Sequence, residues 1–119
     1  MHELSIAEAI LERADAAVPS GAALKAVSMR AGPLRGIDPD CMQHAWTCLL
    51  LQQERPKIAL NLDLPRWKLH CPQCNNRWES DDLYVICNCG NPRPTPEGGD
   101  ELLITSIEVE DPTPVTSDK

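Results

Sequence analysis

Two cysteine pairs, Cys71-Pro72-Gln73-Cys74 and Cys87-Asn88-Cys89-Gly90, fall within residues 67–94, a stretch with no convincing apolar repeat. A segment of that size cannot bury enough surface to fold alone, so it needs a metal to hold it. Zinc takes four thiolates in a tetrahedron at ~2.3 Å, and paired turns present two sulfurs each without strain. Gly90 suits a backbone that must turn tightly around an ion. The spacing therefore predicts a structural Zn(II) site on Cys71, Cys74, Cys87 and Cys89, with about one zinc per chain. Cysteine at all four positions leaves no place for the water of a hydrolytic zinc. The second pair has one intervening residue where the first has two, a tighter chelate turn that bears on the regularity of the tetrahedron. Free structural thiols and a redox dithiol of Cys87 and Cys89 are the competing readings. His70, beside Cys71, is a spare donor expected to be an ordinary exposed histidine.

The rest of the chain reads as a scaffold of helices and strands. Leu4, Ala7, Ile10, Leu11 and Ala14 recur at helical spacing. Ser5 with Glu8 makes a capping box, which predicts a helix over residues 5–17 stopped by Pro19-Ser20-Gly21. Residues 24–31 alternate Leu24, Ala26 and Ser28 against Lys25, Val27 and Met29, a strand pattern, before a loop at Gly32-Pro33 and Gly36. Asp38 and Pro39 are N-cap and first-turn residues for a second helix, running through Cys48 to about Gln53. Ile58, Leu60, Leu62 and Leu64 alternate with Ala59, Asn61 and Asp63 in a second strand closed by Pro65. Residues 102–109 form a third. The expected fold class is α+β: a small three-stranded sheet with two helices, plus a zinc-ribbon-like domain inserted between the last two strands. On the second helix, Cys41, His44 and Cys48 fall at i, i+3 and i+7 on one face. A metal face is one reading. Core packing of two small thiols on a largely core-facing helix is the expectation.

Charge and motifs narrow the function. The net charge is −7 over 119 residues, and residues 95–119 hold seven acidic side chains against one basic. An acidic chain of pI about 4.8 is repelled by phosphate backbones, so a nucleic-acid partner is not expected. No run approaches the length of a membrane span, and the N-terminal residues lack the basic and apolar regions of a secretory signal. A cytoplasmic protein with reduced cysteines is the expectation. There is no G-x-S-x-G, no phosphate loop and no histidine placed with a nucleophile and an orienting acid, so no enzyme is expected.

His2 follows the initiator methionine, whose removal is not expected before so large a residue. The Met1 amine and the His2 backbone nitrogen form one chelate ring with a metal, and the His2 backbone and imidazole nitrogens form a second. Three nitrogens in a plane suit square-planar Ni(II) or Cu(II) rather than tetrahedral zinc. Glu3, through its amide or carboxylate, or a distant group completes the set. Histidine at position 2 does not by itself specify such a site.

Met1-His2-Glu3-Leu4-Ser5-Ile6-Ala7 resembles the opening of the HypA/HybF family of nickel-insertion accessory proteins for [NiFe] hydrogenases. The cysteine pairs of residues 71–89 match that family's zinc domain, apart from the Cys87-Asn88-Cys89 spacing. Residues 101–109 after Gly98-Gly99 resemble its closing strand. The resemblance implies nickel at Met1, His2 and Glu3, and zinc on the four cysteines. It also implies delivery of nickel to a hydrogenase large-subunit precursor, together with a partner maturation GTPase. The layout expected is a nickel-binding part over residues 1–66 and 98–111, a zinc-binding insert over 67–97, and a flexible tail over 112–119. A zinc-ribbon adaptor that binds protein or nucleic acid without handling nickel is the alternative.

Overall fold

Ile6, Ala7, Ile10, Leu11 and Ala14, all buried, form one apolar stripe along the first helix, α1, which spans His2–Ala17. The protein is described by a computed structural model over residues 2–111, with His2 in backbone only. The expected tail of 112–119 lies outside the described residues. α1 starts upstream of the capping box, so Ser5 is not its N-cap. No proline or glycine interrupts residues 2–4, and Glu3 in the first turn favours the positive end of the helix dipole. The first strand, β1, spans Ala23–Ala31 and buries Leu24, Ala26, Val27, Met29 and Ala31.

After a short 3-10 turn at Pro33–Arg35, helix α2 spans Pro39–Gln52. Its N-cap is the expected Asp38, whose Oδ1 accepts from the Asp40 amide at 2.8 Å and the Cys41 amide at 3.1 Å. α2 packs on α1 and turns Met42, Trp46, Leu49 and Leu50 into the core. Trp46 donates from Nε1 to the Ile58 carbonyl at 2.8 Å, and Gln43 donates to the Leu60 carbonyl at 2.7 Å, tying the helix to strand β2, Ala59–Asp63. Arg55 closes this region with a two-pronged bond to Asp15, at 2.6 and 2.9 Å.

The insert holds more regular structure than its sequence suggests. Strands β3 (Trp67–His70), β4 (Arg77–Ser80) and β5 (Thr95–Pro96) make an antiparallel sheet of order β4-β3-β5, with Leu69 opposite Trp78 and Pro96. The final strand, β6, spans Leu102–Glu110 and flanks β1, so the main sheet has the order β2-β1-β6. The expected α+β architecture of two helices with a three-stranded sheet and an insert is therefore present.

The chain divides into two compact units, one of residues up to 29, 37–62 and from 104 on, the other of 30–36 and 63–103. Residues 30–36 join the second unit through backbone bonds. The Gly32 amide donates to the Glu101 carbonyl and the Leu34 amide to the Gly99 carbonyl, both at 2.8 Å.

Candidate metal centres

The four cysteines of the insert converge. Strand β3 runs directly into Cys71, whose amide donates to the Asn76 carbonyl at 2.9 Å while the Asn75 amide donates to the Cys71 carbonyl at 2.7 Å. Asn75 sits at φ 63°, a left-handed conformation that asparagine tolerates better than most residues. The second turn repeats the scheme: the Cys87 amide donates to the Asn91 carbonyl at 2.9 Å, and the Gly90 amide to the Cys87 carbonyl at 2.8 Å. Gly90 has φ 98°, as a turn closing round an ion requires.

The Sγ atoms of Cys71, Cys74, Cys87 and Cys89 all lie within 4.8 Å of one another. The Cys71–Cys89 and Cys74–Cys87 pairs are each 3.5 Å apart. A regular four-thiolate zinc site with ~2.3 Å bonds has sulfur–sulfur edges of roughly 3.8 Å, so small side-chain rotations bring the set around an ion. All four are free thiols; Cys71 and Cys87 are buried, Cys74 and Cys89 exposed. The donor set fits a structural, thiophilic cation.

Electrostatics grade the thiols. Burial pushes the Cys71 thiol up, but the Asn91 amide, 3.4 Å from its sulfur, and the Cys74 backbone outweigh that and hold it down at about 6. The Asn76 backbone pulls Cys74 down, yet bonding to Cys87 and burial push it up to about 12. Cys71 thus becomes a thiolate before Cys74 does. His70 is half-buried, pairs through Nε2 with Asn75 Oδ1 at 2.7 Å, and stands outside the sulfur cluster. Asn75 and Asn91 escaped the reading of the sequence, although an asparagine after each cysteine turn was the available signal.

The second candidate site is at the head of α1. Met1 lies outside the described residues, His2 is the first residue of the helix, and Glu3 is the second. Glu3 Oε2 accepts from the Asp38 amide at 3.5 Å. Glu3, Leu4, Asp40, Cys41, His44 and Cys48 are among the residues lining an open recess of about 590 Å³. The core role expected for Cys41 and Cys48 is corrected here: Cys41 and His44 are exposed and Cys48 is only partly covered. The reason is helical geometry. The buried stripe on α2 is Met42, Trp46, Leu49 and Leu50, and the thiol row lies one position round from it. The Asp38 carboxylate, with burial and Glu3 and Asp40 adding to it, pushes the Cys41 thiol up.

Comparison with known proteins places the chain among relatives along nearly its whole length. The HypA family model, described as hydrogenase/urease nickel incorporation metallochaperone, matches residues 1–109. The hydrogenase maturation factor HypA of Chlorobium luteolum is 28% identical over 114 residues, covering 93% of this chain and 97% of that protein. Its counterpart in Desulfatibacillum aliphaticivorans is 31% identical over 116 residues, covering 94% and 89%. Among solved structures, the Ni metallochaperone HypA from Helicobacter pylori aligns at a TM-score of 0.57 and 20% identity, over 93% of this chain and 99% of that one, a likeness of fold.

Proposed function

The chain belongs to the HypA family of hydrogenase/urease nickel-incorporation metallochaperones, and from that premise we propose that it captures Ni(II) at its N-terminus and passes it to a [NiFe] hydrogenase large-subunit precursor. The family is one of metallochaperones rather than enzymes. The nickel ligands in this reading are the Met1 amine, the His2 backbone and imidazole nitrogens, and Glu3, with Asp40 lining the same recess. One observation carries it: α1 begins at His2. The first amides of a helix have no partner within it, so the helix ladder makes no claim on the His2 amide nitrogen, which is left to give up its proton to solvent and join a planar chelate. A terminal site also suits transfer, because an acceptor can approach the open coordination position and exchange ligands stepwise.

Zinc is the proposed occupant of Cys71, Cys74, Cys87 and Cys89, where it serves as a structural cross-link. The nickel-binding part is assigned to residues 1–66 and 98–111 and the zinc-binding part to 67–97, with a partner maturation GTPase assisting release. Among the described residues, no helix is long and apolar enough to cross a membrane.

The test is a Ni(II) titration of the untagged protein, of His2→Ala, and of a form with one residue added before Met1. Both variants are expected to lose the tight nickel step. In the wild type, affinity falls as pH drops through ~8 and then ~6.5, since the amine and imidazole bind only when deprotonated. Nickel affinity unchanged in both variants would rule out the terminal chelate.

A further inference from the structure

A half-buried thiol paired with an exposed imidazole on the outer face of a helix is an unusual use of cysteine, a residue that is most often fully buried. We propose that His44 and Cys48 on α2, four residues apart on one face, form a two-donor site for a tetrahedral, thiophilic cation such as Zn(II). The Cys48 sulfur and His44 Nε2 are 3.6 Å apart. An ion at ~2.3 Å from sulfur and ~2.0 Å from nitrogen, with a tetrahedral angle between them, holds the two donors roughly 3.6 Å apart. The pair is therefore already set at the edge of a coordination tetrahedron.

Side chains on a helix lean toward its N-terminus, so Cys48 reaches toward His44. Cys41 lines the same recess, but at seven residues, about 10.5 Å along the axis, it is beyond the reach of an ion that Cys48 holds. Neither His44 nor Cys48 belongs to the buried stripe of α2, so ligation does not compete with the core. The carboxylates of Glu3 and Asp40 share the recess and give it a negative field that attracts a cation. On binding, the Cys48 thiol gives up its proton to solvent, His44 binds as the neutral imidazole, and no electron changes hands. The two remaining positions open into the recess and are left for water or for the donor of a partner. This site shares its recess with Glu3 and Asp40 but takes no donor from the four cysteines of the insert or from Met1, His2 and Glu3, so its failure and that of the nickel reading are separable.

The experiment is a Co(II) titration of the full chain carrying one zinc at the insert, in wild type, Cys48→Ser, His44→Ala and His2→Ala, with released zinc measured throughout. Expected is a thiolate-to-cobalt charge-transfer band with tetrahedral d–d absorption in wild type, without zinc release. That band is lost in Cys48→Ser and in His44→Ala and retained in His2→Ala. His44 is exposed, and Cys48→Ser is nearly isosteric, so neither variant threatens the fold. The proposal is overturned by the absence of a thiolate band in wild type, or by a band that persists in Cys48→Ser and His44→Ala. A band lost in His2→Ala overturns it too, because the cobalt then sits at the terminus.

Discussion

Asn91 does two jobs for the four-cysteine cluster, accepting the Cys87 amide with its carbonyl and donating its side-chain amide to the Cys71 sulfur. An N–H aimed at a sulfur stabilises the thiolate over the thiol, and Cys71 is held at about 6 despite its burial. Removing such a supporting group typically costs about 10–100-fold in metal affinity. Asn91→Ala is expected to weaken zinc binding within that range while leaving one zinc per chain at saturation, as read by competition with a chelator of known affinity. An unchanged affinity would show that the backbone turn alone sets the site. At this scale the cysteines were legible from their spacing, whereas the two asparagines were not, because their role depends on a backbone that has already turned.

Elements follow local rules where the rules act alone. Asp38 caps α2 as a short polar residue ahead of Pro39 should. Ser5 and Glu8 offer an equally good cap, but α1 begins upstream of them, since nothing in residues 2–4 breaks a helix. The loop at residues 32–36 depends on contacts distant in sequence. A Cβ at Gly32 would strike the Gly99 carbonyl and the Glu101 side chain, so only glycine lets this loop pair with residues 99–101. Forcing atoms into such a site costs about 1–3 kcal/mol. Gly32→Ala is expected to lower stability by that amount, measured as a reduced urea midpoint. Gly36→Ala serves as a comparison: its added Cβ meets nothing, and the cost there comes from a φ of 63° alone.

At the scale of the molecule, the two units are held by different means. The first buries two apolar helix faces and a sheet. In residues 67–96 the buried apolar side chains are Leu69, Cys71 and Cys87, two of them candidate ligands. That is too little burial to offset the entropy of ordering such a segment without a metal. Zinc removal by a chelator is therefore expected to unprotect the amides of β3 and β4 in hydrogen exchange, while α1 and α2 keep theirs. Equal loss of protection throughout would mean that the first unit also depends on the metal.

By itself the sequence determined the α+β class, the two helices and the three strands of the main sheet, and the four thiols that converge, because spacing and periodicity are local properties of the chain. It also carried the family resemblance that the comparisons bear out. Only the tertiary structure decided which residues belong to the core face of α2. Cys41, His44 and Cys48 have the spacing of a packed row, but Met42 and Trp46 occupy the side that meets α1 and β2. A rotation of one helical position moved two thiols from the expected interior to the recess beside Glu3. Periodicity says that a helix has a buried face; which face it is depends on what the rest of the chain brings against it.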